Sequence, residues 1–176
     1  MKKVIIASAL LAVPVWFVLR GEPPVPEVLD NDIFSHQQQM LALQNQLKAD
    51  PNQAELWFQL GHGYLNQQEF QSALTCFDYA VRLNPTPTAN QLSAKATALY
   101  YLNKQHMTDE VTTLLDAALA QDANNLTALT LIASDHYISL RYAQAVEVWT
   151  QLLESSNPEL DRESVIHALN QAKQML

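Results

Sequence analysis

The segment from residue 54 to residue 87 constrains the fold more than any other part of this sequence. Two sets of its residues recur at intervals of three and four: first Trp57, Leu60 and Tyr64, then Ala73, Phe77 and Ala80. Residues spaced in this way share one face of a helix. Pro85 cannot continue a helix, so it ends the second one. The segment therefore predicts two helices joined by a turn.

The two helices are expected to pack closely against each other. Gly61 and Ala73 are small enough to let the backbones approach, and Trp57 and Phe77 are large enough to fill the space beside them. Together with Pro85, these positions match the tetratricopeptide repeat (TPR), a helix–turn–helix unit of about 34 residues. One such unit cannot bury its own apolar face, so about three stacked copies are needed for stability.

The rest of the chain supplies further copies after the first repeat at 54–87. A second repeat is predicted at about 89–125, with about three extra residues in its turn near residues 103–108, and a third at 126–159. A helix over 33–50 resembles the second half of a repeat. A capping helix is predicted over 161–176, with Asp161 as its N-cap. The predicted fold is all-α: a TPR helical-hairpin solenoid over 33–176, made of a half-repeat, three repeats and a capping helix.

Residues 1–20 differ in kind from the rest. Lys2 and Lys3 precede an uncharged run over 4–19, which predicts an uncleaved signal-anchor transmembrane helix; a cleaved secretory signal is the alternative. The lysines before the run predict a cytoplasmic N-terminus, with the TPR domain across the inner membrane in the periplasm of a bacterium. Three prolines between residues 23 and 26 predict an extended stalk over 21–32. We therefore expect a single-pass inner-membrane protein.

Charge and motifs argue against several classes of protein. The net charge of −8 leaves no basic patch for nucleic acid. The sequence has no phosphate-binding glycine loop, no Cys-x-x-Cys and no Gly-x-Ser-x-Gly, and no two histidines have the i, i+4 spacing of a helical metal pair. Cys76, the single cysteine, is expected to be buried. We predict a non-catalytic binding protein with no metal and no cofactor.

A candidate groove can be assigned from the repeat positions that the packing face does not use. In the TPR pattern, positions two, five, nine and twelve of each first helix point into the concave face. The candidate groove therefore consists of Glu55, Phe58, His62, Leu65, Asn90, Ser93, Thr97, Tyr100, Thr127, Thr130, Ser134 and Tyr137. Aromatic side chains beside hydroxyls suit an extended or helical peptide. Alternatively, Leu65 and Tyr100 pack under the neighbouring repeat, and His62 ligates a haem or a metal.

The second half of the sequence carries a more specific resemblance. Its marks are Leu99-Tyr100-Tyr101, Gln105-His106-Met107-Thr108 in the long turn, residues 131–135 and residues 142–149. On these residues the chain resembles the NrfG-type TPR subunits of bacterial cytochrome c haem lyases, a family that shares its TPR module with CycH and some CcmH-type proteins. The likeness covers residues 37–176.

The resemblance implies a role in cytochrome c maturation. A subunit of this type would bind the C-terminal segment of apocytochrome c for haem attachment, alongside other haem lyase subunits in the inner membrane. The cytochrome implied is a multihaem, formate-dependent nitrite reductase. Because this chain lacks Cys-x-x-Cys, we assign it no redox step. Two alternatives stay open: a general periplasmic TPR scaffold that assembles another membrane complex, and a haem-ligating carrier that uses His62 or His136.

Overall fold

The computed structural model describes the backbone of residues 27–176 and the side chains of residues 35–176. The described residues form eight α-helices: α1 (Glu27–Ala49), α2 (Ala54–Asn66), α3 (Phe70–Leu83), α4 (Ala89–Leu102), α5 (Asp109–Gln121), α6 (Leu126–Ile138), α7 (Tyr142–Glu154) and α8 (Arg162–Gln174). Strands are absent from this part of the chain. The predicted anchor and residues 21–26 of the predicted stalk lie outside the described residues.

The first helix differs from its sequence-based prediction. It begins at Glu27, six residues before the predicted start at Ile33, so the stalk prediction is wrong for residues 27–32. Pro26 is the last proline before this point, and the chain beyond it carries nothing that prevents helical backbone. No helix in the described part of the chain is both long enough and apolar enough to cross a membrane.

Residues 39–176 form one compact unit, while α1 up to Gln38 belongs to a separate one. Within the larger unit, α2 packs against α3, α4 against α5, and α6 against α7, and α8 packs on α7. The last turns of α1 contribute Met40, Leu43 and Leu47 to a core cluster with α2 and α3. These pairs confirm the prediction of an all-α TPR solenoid.

Small residues set how closely the helices approach. A Cβ atom added at Gly61 would lie 2.5 Å from Cε1 of Phe77, a distance that real side chains do not adopt. The equivalent positions of the next two repeats hold Ala96 and Ala133, and neither has any exposed surface. Since Phe77 is also fully buried, the first hairpin requires glycine at position 61.

The turns within the hairpins differ in length. Residues 67–69 join α2 to α3 and residues 139–141 join α6 to α7, whereas residues 103–108 join α4 to α5. The prediction of a longer turn in the second repeat is therefore confirmed. Each turn places a residue in left-handed backbone, Gln68, Lys104, Gln105 or Leu140.

Side-chain caps fix where several helices begin. The hydroxyl of Thr88 accepts from the backbone N–H of Gln91, whose side chain accepts in return from the backbone of Thr88, so α4 starts with a complete capping box. The carboxylate of Asp161 accepts from the backbone N–H of Ser164, which confirms the N-cap predicted for the last helix.

Candidate functional site

The three helices that carry the candidate groove stand next to one another, because α2 packs beside α4 and α4 beside α6. Their exposure is uneven. The exposed members are Glu55, Asn90 and Thr130. The half-buried members are Phe58, His62, Leu65, Thr97, Thr127, Ser134 and Tyr137. The buried members are Ser93 and Tyr100.

In the first repeat, Phe58 and His62 are packed around the buried ring of Phe77. The ring centroids of Phe58 and His62 are 4.6 Å apart, edge to face, and the imidazole lies 5.2 Å from the ring of Phe77. Burial lowers the pKa of His62 below its ordinary value, and the carboxylate of Glu55 opposes this change only in part. The imidazole is therefore neutral at pH 7, and one edge of it belongs to the core of the hairpin.

Tyr100 does not face an open groove. It is 2% exposed, and its hydroxyl donates to Oδ1 of Asp135 in the next repeat at 3.1 Å. Burial and the neighbouring carboxylate both raise the pKa of the phenol, so it stays protonated and donates. This placement agrees with the alternative that Tyr100 packs under the neighbouring repeat. Because α6 lies directly against α4, the side of α4 that carries Tyr100 is covered.

A polar network continues from Tyr100 and was not foreseen in the sequence. Asp135 is buried and forms an ion pair with Nη2 of Arg141, while Nε of Arg141 donates to Nδ1 of His136 at 2.9 Å. Burial, followed by the charge of Arg141, lowers the pKa of His136. The network connects the second repeat to the third. In the sequence, the sign of this network is Asp135, a carboxylate within the apolar run of α6.

The hydroxyl groups in the α4 part of the groove already donate hydrogen bonds to the backbone of this helix. Oγ of Ser93 donates to the carbonyl oxygen of Asn90 at 3.2 Å, and Oγ1 of Thr97 donates to the carbonyl oxygen of Ser93 at 2.8 Å. Nδ2 of Asn125 donates to Oδ1 of Asn90 at 2.7 Å across the repeat boundary. These side chains can still accept hydrogen bonds, but their hydroxyl protons are used within the helix.

The far end of the groove is formed by α6. Thr127, Thr130, Ser134 and Tyr137 follow each other at helical spacing along this helix, and Thr130 is exposed. The ring of Tyr137 contacts two aromatic rings of α7, with centroid distances of 5.5 Å to Tyr142 and 5.7 Å to Trp149. Tyr137 thus keeps part of its surface exposed and packs the rest in the core.

The arrangement suits the binding of a partner along adjacent helices. Ten of the twelve predicted residues keep some exposed surface, and they alternate polar groups with apolar rings along adjacent helices. Cys76 lies elsewhere, on α3, and is 4% exposed, and burial raises its pKa to about 11. A thiol in that state is a weak nucleophile at neutral pH. Whether the groove binds a peptide stays a prediction.

A family model described as the cytochrome c-type biogenesis protein H TPR domain matches residues 31–163. The chain belongs to this family. It is 36% identical over 171 residues to the formate-dependent nitrite reductase complex subunit NrfG of Escherichia coli O157:H7, covering 96% of this chain and 85% of that protein.

Two further relatives support the assignment. The chain is 42% identical over 139 residues to the bifunctional subunit NrfFG of Haemophilus influenzae, a match that covers 79% of this chain and 36% of that longer protein. A crystal structure described as a YfrE protein of Vibrio parahaemolyticus is 52% identical, covers 52% of this chain and all of the solved one, and superimposes with a TM-score of 0.50. The family, with its NrfG-type relatives, makes this chain a cytochrome c biogenesis TPR subunit.

Proposed function

We propose that this protein is a non-catalytic, membrane-anchored subunit of a haem lyase complex that binds the C-terminal segment of an apocytochrome c. The observation that carries the proposal is the row of partly exposed side chains along α2, α4 and α6, in a chain whose relatives are named for the nitrite reductase complex and for cytochrome c biogenesis. The cytochrome proposed is the multihaem, formate-dependent nitrite reductase. The protein holds the C-terminal segment of that cytochrome while partner subunits carry out the chemistry.

Membrane anchoring and periplasmic location are part of the proposal. The uncharged run over residues 4–19, preceded by Lys2 and Lys3, supports an anchor with a cytoplasmic N-terminus. A haem lyase substrate is an unfolded polypeptide emerging on the far side of that membrane. A tethered groove raises the local concentration of the binding site there.

The groove favours a peptide with spaced apolar side chains. Phe58 and Leu65 offer apolar surface at the α2 end, and Tyr137 offers an aromatic ring at the α6 end. Between them, the oxygens of Asn90 and Thr97 accept hydrogen bonds from a peptide main chain. No lysine or arginine belongs to the twelve residues, so affinity there depends on shape and on apolar contact more than on charge.

Calorimetric titration of the full-length chain in detergent micelles tests the proposal. The ligands are the C-terminal peptides of a multihaem cytochrome, of a monohaem cytochrome and of an unrelated periplasmic protein. We expect the multihaem peptide to bind most tightly. Equal binding of all three would favour the general scaffold instead, and no binding by either cytochrome peptide would contradict the proposal.

A matched pair of variants locates the binding surface. Thr130→Trp fills the candidate groove from an exposed position on α6, and Thr112→Trp adds the same bulk to an exposed position on α5. We expect the first variant to weaken peptide binding by about tenfold, which corresponds to about 1.4 kcal/mol, and the second to bind normally. Equal affinities of the two variants would place the site elsewhere.

A further inference from the structure

A second concavity lies at the turns of the first two repeats, next to the candidate groove. This turn pocket has a volume of about 700 Å³. Its lining consists of the apolar wall, formed by Leu65, Phe70 and Tyr101, and the polar wall, formed by Asn66, Gln68, Lys104 and Gln105. Leu65 belongs to both the turn pocket and the candidate groove, so the two surfaces are continuous.

The apolar wall of the turn pocket spans two repeats. The rings of Phe70, the first residue of α3, and Tyr101, near the end of α4, are stacked with centroids 5.0 Å apart and planes 15° apart. Tyr101 is 36% exposed, so it can contact a ligand while it is stacked on Phe70. The buried ring of Tyr100 also contacts Tyr101 edge to face, with ring centroids 5.5 Å apart.

The polar wall carries a cation, Lys104, and no carboxylate that could pair with it. Lys104 is exposed and forms no ion pair within the described residues, whereas Lys95 is bound to Asp78 at 2.7 Å and Arg141 to Asp135. No carboxylate is found among the described residues that line the turn pocket. A cation that no carboxylate of the pocket lining neutralises attracts a negatively charged group.

The turn fixes the backbone conformation at Lys104 and Gln105. Lys104 and Gln105 both have left-handed backbone, with φ of 57° and 59°. Their N–H groups donate to the carbonyl oxygens of Tyr101 and Tyr100 at 3.0 and 2.9 Å. These bonds occupy two of the last four carbonyls of α4, at the negative end of the helix dipole, and so reduce the repulsion that an anion would meet there. The amides of Gln68 and Gln105 add hydrogen-bond donors beside the lysine.

We propose that the turn pocket binds the C-terminal carboxylate of the bound polypeptide. The carboxylate lies against Lys104, the last side chain lies against the rings of Phe70 and Tyr101, and the preceding residues enter the candidate groove past Leu65. A free C-terminus places its charge and its last side chain on the same residue, which matches a cation beside an aromatic wall. The inference rests on the proposed function, and it names which end of the polypeptide is held and where.

The test compares a cytochrome C-terminal peptide that ends in a free carboxylate with the same peptide amidated, titrated into the full-length chain in detergent. We expect amidation to weaken binding about threefold to tenfold, and Lys104→Gln to remove this difference. Lys173→Gln, which neutralises an exposed lysine of α8, is the matched control and keeps it. Equal binding of the two peptides to the unaltered chain, or an undiminished difference in Lys104→Gln, would overturn the inference.

Two further titrations identify which part of the peptide the turn pocket recognises. Tyr101→Ser should weaken the binding of a peptide whose last residue is leucine and leave the binding of a peptide that ends in glycine unchanged. Equal effects on both peptides would remove the apolar wall from the proposal. An amidated peptide with aspartate as its last residue should bind no better than the plain amide. Full recovery by that aspartate would overturn terminal recognition in favour of an acidic side chain. If no cytochrome peptide binds in any form, the proposed function fails as well.

Discussion

Gly61→Ala probes the contact that sets the packing of the first hairpin. In an exposed helix this change would stabilise the protein by about 1 kcal/mol, because glycine is the poorer helix former. Here the new Cβ would lie 2.5 and 2.7 Å from Cε1 and Cδ1 of Phe77. Carbon atoms in contact are ordinarily about 3.5–4.0 Å apart. Either the ring or the helix must therefore move by about 1 Å.

The ring of Phe77 has little room to move. It has no exposed surface, and the rings of Phe58 and His62 lie against it at 5.8 and 5.2 Å. Overpacking of a core costs about 1–3 kcal/mol. After the gain in helix propensity is subtracted, we expect Gly61→Ala to lower the free energy of unfolding by up to about 2 kcal/mol.

Gly63→Ala is the matched control two residues along the same helix. Its Cβ would meet Cγ and Sδ of Met40 at 3.0 and 3.1 Å. A methionine side chain is flexible and can adjust. The propensity gain should then offset the contact, so we expect a change within about 0.5 kcal/mol or a slight stabilisation.

Urea unfolding followed by circular dichroism measures both free energies. The double variant Gly61→Ala, Phe77→Leu adds a further check, because a smaller side chain at position 77 should recover part of the loss through a coupling between the two sites. Equal effects of the two glycine variants, or stabilisation by Gly61→Ala, would refute the claim that close packing at position 61 requires glycine.

Three further changes test other parts of the structure. Tyr100→Phe leaves a buried oxygen of Asp135 without its donor, so we expect a loss of about 1.5–3 kcal/mol in urea unfolding; a loss below about 0.5 kcal/mol would contradict the network. Leu140→Asn should stabilise by about 0.5–1 kcal/mol, because this leucine is 72% exposed and has φ of 60°, a conformation that asparagine tolerates; unchanged stability would argue against strain at this turn. Burial disfavours protonation of His62 in the folded state, so below the unfolded-state pKa of about 6.5 the unfolded chain binds more protons than the folded one. Stability therefore decreases as the pH is lowered below that value. His62→Gln should flatten that decline without abolishing it, because the pKa of His136 is lowered as well, and an unchanged slope between pH 5 and pH 7 would count against the buried imidazole.

Helical spacing within single repeats was sufficient to predict the helices and their pairing. Two features of α2 depend only on this helix and its immediate partner: the face that includes Trp57 and Tyr64, and the small residue at position 61. The structure places both as expected. The six-residue turn of the second repeat was readable in the same way, because the two halves of that repeat fell out of register. The prediction places the start of α1 too late because it extends the stalk beyond the prolines that end at Pro26. Proline disfavours helical backbone in the residue before it but does not prevent a helix after it.

The candidate groove could be predicted only up to the surface of each single helix. Spacing places Ser93 and Tyr100 on the same stripe as Thr97, yet two of these three are buried. The neighbouring repeat covers Tyr100, and the spacing of residues within one hairpin does not determine how far the next hairpin is offset from it. The same reason hid the Tyr100–Asp135 bond and the turn pocket, which join residues about one repeat apart. Sequence periodicity determined which faces each helix packs within its own hairpin, while stacking between hairpins determined which of the remaining side chains a partner can reach.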